Sequence, residues 1–259
     1  MQITTINIVL QYMLSKAQSK HIRSLTQQKF REQHQQFVAE GSKIATEWLS
    51  SNHKILKIIA NKEWINESIN LIAKHPEAEV VEVTEQELMM ITSLQTPNHV
   101  LLVVAFPSIV PFPTSANKWY MALDSIQDPG NMGTLLRIAD WYGIDHVLCN
   151  NHCVDIYNPK VVQSAMGAHI RVVVHYTDLE LSLKQLKLPI YAAVLGGNNV
   201  YDFGRTDSGV LIIGNESKGI SDTVLATATH LVTIPRKGGA ESLNAAVSAG
   251  IFCALLLPQ

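Results

Sequence analysis

The feature that most constrains the fold of this chain is an alternation of short apolar runs with helical patterns along its second half. Six runs lack the period-two alternation of a half-exposed strand, and they lie at 120–123, 146–148, 171–174, 190–194, 210–213 and 231–234. Strands that are apolar on both faces belong to parallel sheets covered by helices on both sides. The sequence therefore predicts an α/β fold with a parallel sheet, whose ligands should bind in the loops beyond the carboxyl ends of the strands.

A proline-rich segment divides the chain into two predicted domains. Residues 106–117 contain three prolines, which disfavour both helix and central strand and predict a linker. Residues 20–105 also alternate apolar runs with helical patterns, including the capping box that begins at Thr84, and predict a small α/β domain. Residues 118–259 form the second predicted domain. Residues 1–19 are expected to be an N-terminal extension, because the first 12 match neither domain.

The charge of the chain is distributed unevenly. The net charge is −2, but residues 16–62 contain nine Lys and Arg and three Glu, which gives +6 there and leaves −8 for the remainder. Such a division is typical of a protein that docks a polyanion on one part of its surface. A set of solvated helix faces would give the same pattern, and both interpretations remain open.

The apolar segments do not suggest a membrane protein. The run at 3–10 has no basic residue before it, and the run at 243–257 is shorter than the roughly 20 residues that span a bilayer. Three cysteines, an odd number without framework spacing, are typical of reduced thiols. We therefore expect a cytoplasmic protein without a membrane partner.

Four potential metal ligands lie close together in the sequence: His146, Cys149, His152 and Cys153. A zinc site would need a second pair of ligands at a finger-like distance, and none is present. Residues 146–149 instead resemble the end of a buried strand. We predict that the protein binds no metal.

Two loops after predicted strands contain polar residues that could carry chemistry. In the first, Pro129 and Gly130 turn the chain into a helix, Asn131 lies near its cap, and Arg137 follows inside it. Taken alone, this pattern indicates a capped helix with a surface arginine. In the second, an apolar strand delivers Gly214, Asn215 and Glu216 to the edge of the sheet. Neither a Walker phosphate loop nor a dinucleotide fingerprint is present.

A third loop, 234–244, precedes a final helix that is small or apolar almost all round and should therefore be buried. Ser242 and Asn244 lie near the start of this helix. A buried amide or hydroxyl without a partner is costly, so a backbone group or a ligand is expected to contact them.

Taken together and in this order, the three loops resemble the signatures of the SpoU (TrmH) branch of the SPOUT methyltransferases. They read Asp-Pro-Gly-Asn-x-Gly-Thr-x-x-Arg, Gly-Asn-Glu-x-x-Gly-Ile-Ser and Ser-Leu-Asn, and residues 158–167 also look like that family. Residues 29–32 and the Phe-Val-Ala-Glu-Gly at 37–41 resemble the substrate-binding domain that often precedes it. Ser217 departs from the family pattern, in which glycine is common.

The resemblance implies a methyltransferase that uses S-adenosylmethionine to methylate a ribose 2′-hydroxyl in RNA. It also implies a C-terminal trefoil knot, which is an exception among folds, and a homodimer. The residues that the resemblance assigns are a catalytic set of Asn131, Arg137, Glu216, Ser242 and Asn244, cofactor contacts at Gly196, Gly214, Ile234 and Leu243, and RNA contacts at Lys29 and Arg31.

Methyl transfer from a sulfonium to oxygen requires alignment of donor and acceptor and help in removing the hydroxyl proton. Because a guanidinium keeps its proton, Arg137 is expected to act electrostatically on a phosphate and on the nascent alkoxide. By the resemblance to the family alone, the additional N-terminal domain favours ribosomal RNA as substrate. The alternatives are transfer RNA, methylation of a base, or an inactive relative that only binds RNA.

Overall fold

The computed structural model describes residues 10–96, 98–112 and 117–258. The chain divides into two compact units, Met1–Ile109 with Tyr157–Ile170, and Val110–Ile156 with Arg171–Gln259. The chain passes between the units three times, after residues 109, 156 and 170. Residues 1–9 of the predicted extension and 113–116 of the predicted linker lie outside the described residues.

The strands form one sheet in each unit. Their bounds are β1 (Leu10–Tyr12), β2 (Gln36–Glu40), β3 (Ile55–Ala60), β4 (Glu79–Glu82), β5 (Val100–Ala105), β6 (Trp119–Asp124), β7 (His146–Cys149), β8 (Val173–Tyr176), β9 (Ile190–Asn199), β10 (Gly209–Gly214) and β11 (His230–Thr233). The first sheet has the order β1-β4-β3-β5-β2, and the second has the order β11-β9-β10-β6-β7-β8.

The helices cover these sheets. Their bounds are α1 (Lys16–Ser24), α2 (Gln28–His34), α3 (Ser42–Leu49), α4 (Lys62–Glu67), α5 (Ile69–Ile72), α6 (Glu85–Ile91), α7 (Pro129–Trp141), α8 (Pro159–Ala165), α9 (Leu179–Leu186), α10 (Asp222–Leu225) and α11 (Ala245–Leu256). The capping box predicted at Thr84 is present at the start of α6. Within the described residues, no helix is both long and apolar enough to cross a membrane.

The first sheet is mixed. Strand β5 is antiparallel to β2 and β3, whereas β4 is parallel to β1 and β3. The sequence analysis did not predict β1 or β2, because both are short strands at the sheet edges. Strand β1 pairs Leu10 with Val80, so residues 10–12 belong to this sheet, and α1 begins at Lys16 within the segment that was predicted as an extension.

The segment 157–170 completes the core of the first unit, although it lies between β7 and β8 in the sequence. Val162 of α8 is buried in this core. The Tyr157 ring stacks on Phe37 and Phe106, with centroid distances of 4.6 and 4.3 Å. The structural units therefore differ from the predicted domains, which placed this segment with residues 118–259.

The second sheet is parallel in all of its described pairings. Its central strand β6 is buried along its whole length, as the absence of polar alternation in the sequence predicted. The prediction of an α/β fold with a parallel sheet is therefore confirmed. The carboxyl ends of β6, β7, β9 and β10 lie along one edge of this sheet, and the trefoil knot stays a prediction.

Strand β9 contains a large bulge against β11. Tyr191 and Ala192 pair with His230 and Leu231, but the next pairs on β11 are made by Asn198 and Asn199, so residues 193–197 are left over. A Cβ at Gly197 would lie 2.6 Å from the Leu231 carbonyl, and only glycine permits this approach. Three of the residues left over, Ala193, Val194 and Leu195, line a cavity at this edge of the sheet.

Candidate functional site

A cavity of about 680 Å³ lies where β9, β10 and β11 approach the loops that follow them. The bulged part of β9 and the ends of β10 and β11 supply much of its apolar wall. The apolar lining includes Val194, Leu195, Ile213, Ile234, Leu243 and Phe252. Glu216, Lys218, Ser242 and other polar residues of the second and third loops complete the lining. The cavity is therefore apolar on one side and polar at the loops.

The second loop is a tight turn after β10. The Asn215 carboxamide oxygen accepts hydrogen bonds from the N–H groups of Ser217 at 3.0 Å and Lys218 at 3.1 Å. A Cβ at Gly214 would lie 2.4 Å from the carbonyl carbon of Gly219, so only glycine fits at the end of β10. These contacts fix the backbone of the loop beside the cavity.

Three of the predicted catalytic residues meet in one hydrogen-bonded chain. Asn131 Nδ2 donates to Glu216 Oε1 at 2.5 Å, and Asn244 Nδ2 donates to Asn131 Oδ1 at 2.8 Å. Each residue comes from a different loop, so Asn131 links all three. Glu216, and the residues on both sides of Asn244, line the cavity, which places this polar chain at its border.

The helix caps explain why Asn131 and Asn244 are held in place. Asp128 caps α7 and accepts from the Asn131 N–H at 2.7 Å. Asn244 caps α11, and its Oδ1 accepts from the N–H groups of Ala246 at 3.0 Å and Val247 at 3.2 Å. The expected partners of the Asn244 amide are therefore backbone groups on one side and Asn131 on the other.

Arg137 lies six residues after Asn131, about 9 Å further along the axis of α7. Its side chain is exposed, and it forms no hydrogen bond or ion pair with any of the described residues. The structure therefore does not bring Arg137 into contact with Asn131 or Glu216, and its guanidinium is available to a ligand.

The remaining predicted site residues lie on or next to the cavity. Gly214, Ile234 and Leu243 line it, as does Ser242. Gly196 directly follows Leu195, which lines the cavity, and a Cβ on Gly196 would meet no described atom within 4 Å. The assignment of these residues to cofactor binding or catalysis stays a prediction.

Asp124 is a functional candidate that the sequence analysis missed. It ends β6, is 1% exposed, and accepts from the Ser221 N–H and Oγ, both at 2.7 Å. Its other oxygen accepts from Asn150 Nδ2 at 2.6 Å and Ser125 Oγ at 3.1 Å. The carboxylate thus ties the end of the second loop to the ends of β6 and β7. Its position at the end of a buried strand was the only available sequence signal.

The two predicted RNA contacts differ in accessibility. Lys29 is exposed at the start of α2. Arg31 is 2% exposed, and its Nη1 donates to the Leu25 carbonyl at 2.9 Å. Because a buried guanidinium cannot reach a phosphate, the expectation for Arg31 is corrected: its role is structural.

The four potential metal ligands do not converge. His146 Nδ1 lies 3.0 Å from Nε2 of His175 on the neighbouring strand, while Cys153 Sγ donates to the Leu123 carbonyl at 3.2 Å. Burial lowers the pKa of His146 and raises that of Cys149 well above its usual value. In the described part of the chain, no three His, Cys, Asp or Glu residues are placed to hold a metal.

Comparison with known proteins identifies the family. The SpoU rRNA Methylase family model matches residues 118–254, and the MRM3-like substrate binding domain model matches residues 16–102. A 23S rRNA (guanosine(2553)-2′-O)-methyltransferase of Bacillus subtilis is 30% identical over 174 residues, which are 66% of this chain and 69% of the relative.

Two solved structures are similar over nearly the whole chain. One, a protein of the TrmH family from Porphyromonas gingivalis, has a TM-score of 0.83 at 34% identity, and the alignment covers 93% of this chain and 97% of that protein. The other, an AdoMet-bound rRNA methyltransferase from Sinorhizobium meliloti, has a TM-score of 0.84 at 26% identity. The alignment covers 94% of this chain and 96% of that protein. The prediction of an RNA methyltransferase that uses S-adenosylmethionine is confirmed, and this chain belongs to the SpoU rRNA methylase family.

Proposed function

We propose that this protein transfers the methyl group of S-adenosylmethionine to a ribose 2′-hydroxyl of ribosomal RNA. The observation that carries the proposal is the hydrogen-bonded chain of Asn131, Glu216 and Asn244 at the border of an apolar cavity. The Bacillus subtilis relative is by name a 2′-O-methyltransferase of 23S rRNA, which supports both the acceptor group and the class of RNA.

The cavity suits S-adenosylmethionine. Pockets for ligands of drug-like size have volumes of about 300–1,000 Å³ and mostly apolar walls with a few polar groups. The cavity has a volume of about 680 Å³, and Ile213, Ile234 and Leu243 offer apolar surface for an adenine ring. When bound there, S-adenosylmethionine would supply an activated methyl group on a positively charged sulfur.

The polar chain would position the ribose. The second carboxylate oxygen of Glu216 has no hydrogen-bond partner among the described residues, so it can accept a hydrogen bond from the 2′-hydroxyl. Asn131 holds the first oxygen and thereby fixes the direction of the second. Such alignment is the main requirement of an in-line transfer.

Arg137 would hold the phosphate of the target nucleotide. An exposed guanidinium without a protein partner can form two parallel hydrogen bonds to phosphate. The same positive charge favours the developing negative charge on the 2′-oxygen, and the hydroxyl proton leaves to solvent.

The protein would act in the cytoplasm as a homodimer. Trp141 at the end of α7 is 85% exposed, and Val247 on α11 is 53% exposed. Helices α7 and α11 pack against each other, and each leaves one of these large apolar side chains exposed for a second copy to cover. Light scattering of wild type and of the Val247→Glu variant at low micromolar concentration tests this: a monomeric, fully active wild type would contradict it.

The experiment that tests the function compares wild type with Arg137→Ala. Ribosomal RNA and, separately, transfer RNA from cells lacking the gene are incubated in a single turnover and digested, and the newly methylated nucleosides are identified by mass spectrometry. We expect a 2′-O-methylnucleoside with wild type only, while calorimetry gives nearly equal S-adenosylmethionine affinities for both proteins. A methylated base, methylation of transfer RNA alone, or loss of S-adenosylmethionine binding by the variant would contradict the proposal.

A further inference from the structure

Helix α1 carries three cations on one side. Lys16, Lys20 and Arg23 are exposed and follow one another at i, i+4 and i+7, so they lie along the same face. The helical rise places the second about 6 Å and the third about 10.5 Å from the first. We call these three residues the α1 stripe.

The α1 stripe has no acidic partner. Helix α1 contains no Asp or Glu, and the three side chains form no hydrogen bond or ion pair with the described residues. Two acids that contact α1 or the residue before its N-cap are already engaged. Glu79 forms an ion pair with Lys57 and accepts from Gln18, while Glu87 accepts from the N–H groups of Leu14 and Thr84.

The first two cations of the α1 stripe oppose the stability of α1. Like charges at i and i+4 destabilise a helix by about 0.2–0.5 kcal/mol, and Lys16 in the first turn opposes the helix dipole, whereas Arg23 in the last turn favours it. Some exposed cations of the second unit are paired with acids, as in Lys118 with Asp145 at 2.5 Å and Lys184 with Glu180 at 2.6 Å. The α1 stripe differs from these pairs because three cations share one helix face and the helix itself contains no acid.

The partner that fits the α1 stripe is a phosphate backbone. A row of cations that spans about 10 Å can contact successive phosphates without reading bases. A membrane surface fits less well, because an interfacial helix must insert its apolar face, and the apolar residues Ile22 and Leu25 of this region are buried in the protein core.

We propose that the α1 stripe binds the phosphate backbone of the RNA substrate. The proposal rests on the function proposed above and locates the RNA contact on α1, whereas the sequence analysis had placed it at Lys29 and Arg31. Because the stripe contacts no reacting atoms, it contributes to affinity and leaves the methyl-transfer step unchanged.

The test replaces Lys16, Lys20 and Arg23 together by Gln in the full-length protein. The matched control replaces three other exposed lysines of the same unit, Lys43, Lys54 and Lys74, by Gln. Binding of ribosomal RNA, purified from cells lacking the gene, is measured over a series of KCl concentrations. Each lost phosphate contact lowers the slope of log affinity against log salt by about 0.7–0.9, so we expect a loss of about two to three units for the stripe variant. The control should lose less than one unit.

An equal decrease in the salt slope in both variants would overturn the proposal, because RNA would then be attracted by the general positive charge of the unit and not by the α1 stripe. An unchanged slope in the stripe variant, or binding of wild type to phosphatidylserine vesicles that is tighter than to RNA and depends on the stripe, would also overturn it. Single-turnover methylation at saturating RNA should remain within twofold of wild type, since a phosphate contact contributes to affinity only. If wild type binds RNA with stripe-dependent slope but forms no 2′-O-methylnucleoside, the proposed reaction fails and the binding surface stands.

Discussion

Replacing Asp124 by Asn should strongly destabilise the second unit. The carboxylate is almost completely buried and accepts four hydrogen bonds, two on each oxygen. An amide has the same shape but turns one oxygen into a donor. If the amide nitrogen faces Ser221, it meets the backbone N–H; if it faces the other side, it meets Asn150 Nδ2, whose own oxygen already accepts from Ser125 N. In either orientation, the introduced amide nitrogen therefore faces another N–H donor.

The magnitude follows from these four hydrogen bonds. A hydrogen bond to a charged group contributes about 1.5–3 kcal/mol and a neutral one about 0.5–1.5 kcal/mol. The substitution abolishes one charged hydrogen bond and weakens the other three, but a buried neutral amide costs less to desolvate than a buried carboxylate, so we expect a net loss of about 3–5 kcal/mol in the free energy of unfolding. For a protein of this size, that loss lowers the midpoint of thermal unfolding by about 10 °C.

Scanning calorimetry measures this effect, and Asp178→Asn is its matched control. Asp178 is exposed and caps α9 by accepting from the Leu181 N–H at 3.1 Å, a task that Asn performs equally well. The control should unfold within about 1 °C of wild type. Because Ser221 ends the loop that lines the cavity, Asp124→Asn should also weaken S-adenosylmethionine binding. A variant as stable as the control would refute the role of Asp124.

Three further predictions concern the site, the pH dependence and the first unit. Asn131→Asp should impair single-turnover methylation more than Asn131→Ala at neutral pH and recover in part on acidification, because it places a second carboxylate against Glu216. Burial lowers the pKa of both His146 and His175, so the unfolded chain takes up protons first as pH falls below about 6.5. The free energy of unfolding in chemical denaturation should therefore fall from about pH 7 to about pH 5. This fall should be smaller in the double variant His146→Asn with His175→Asn, and an equal dependence on pH in both proteins would contradict the prediction. A fragment of residues 10–109, which keeps β1, should lack near-ultraviolet circular dichroism unless α8 and its flanking residues are supplied, since they complete its core.

The sequence predicted the second sheet and the meeting of the three loops for a physical reason. Strands that are apolar on both faces must be central and parallel, and parallel strands deliver their following loops to one edge. The polar residues of the first two loops follow β6 and β10, which are neighbours in the sheet. Their contact through Asn131 and Glu216 therefore follows from strand order once the sheet is parallel.

Other features depend on tertiary contacts that no local pattern records. The buried side chain of Arg31 has the same sequence context as a surface cation, and only packing distinguishes them. The five unpaired residues of the β9 bulge follow from the path of β11. Likewise, α8 has an ordinary helical pattern, but its apolar face contributes to the core of the first unit.

The hydrogen bonds within the site separate the residues that hold the loops from those that remain for the substrate. Both polar ends of the Asn244 amide are occupied, by the backbone of α11 and by Asn131, and Asn131 is occupied by Glu216 and Asn244. These contacts fix the orientation of both amides and use at least one donor and one acceptor of each. Arg137 and one oxygen of Glu216 have no partner among the described residues. Substrate recognition should therefore depend on the uncommitted groups, and variants of the two amides should act through the geometry of the loops.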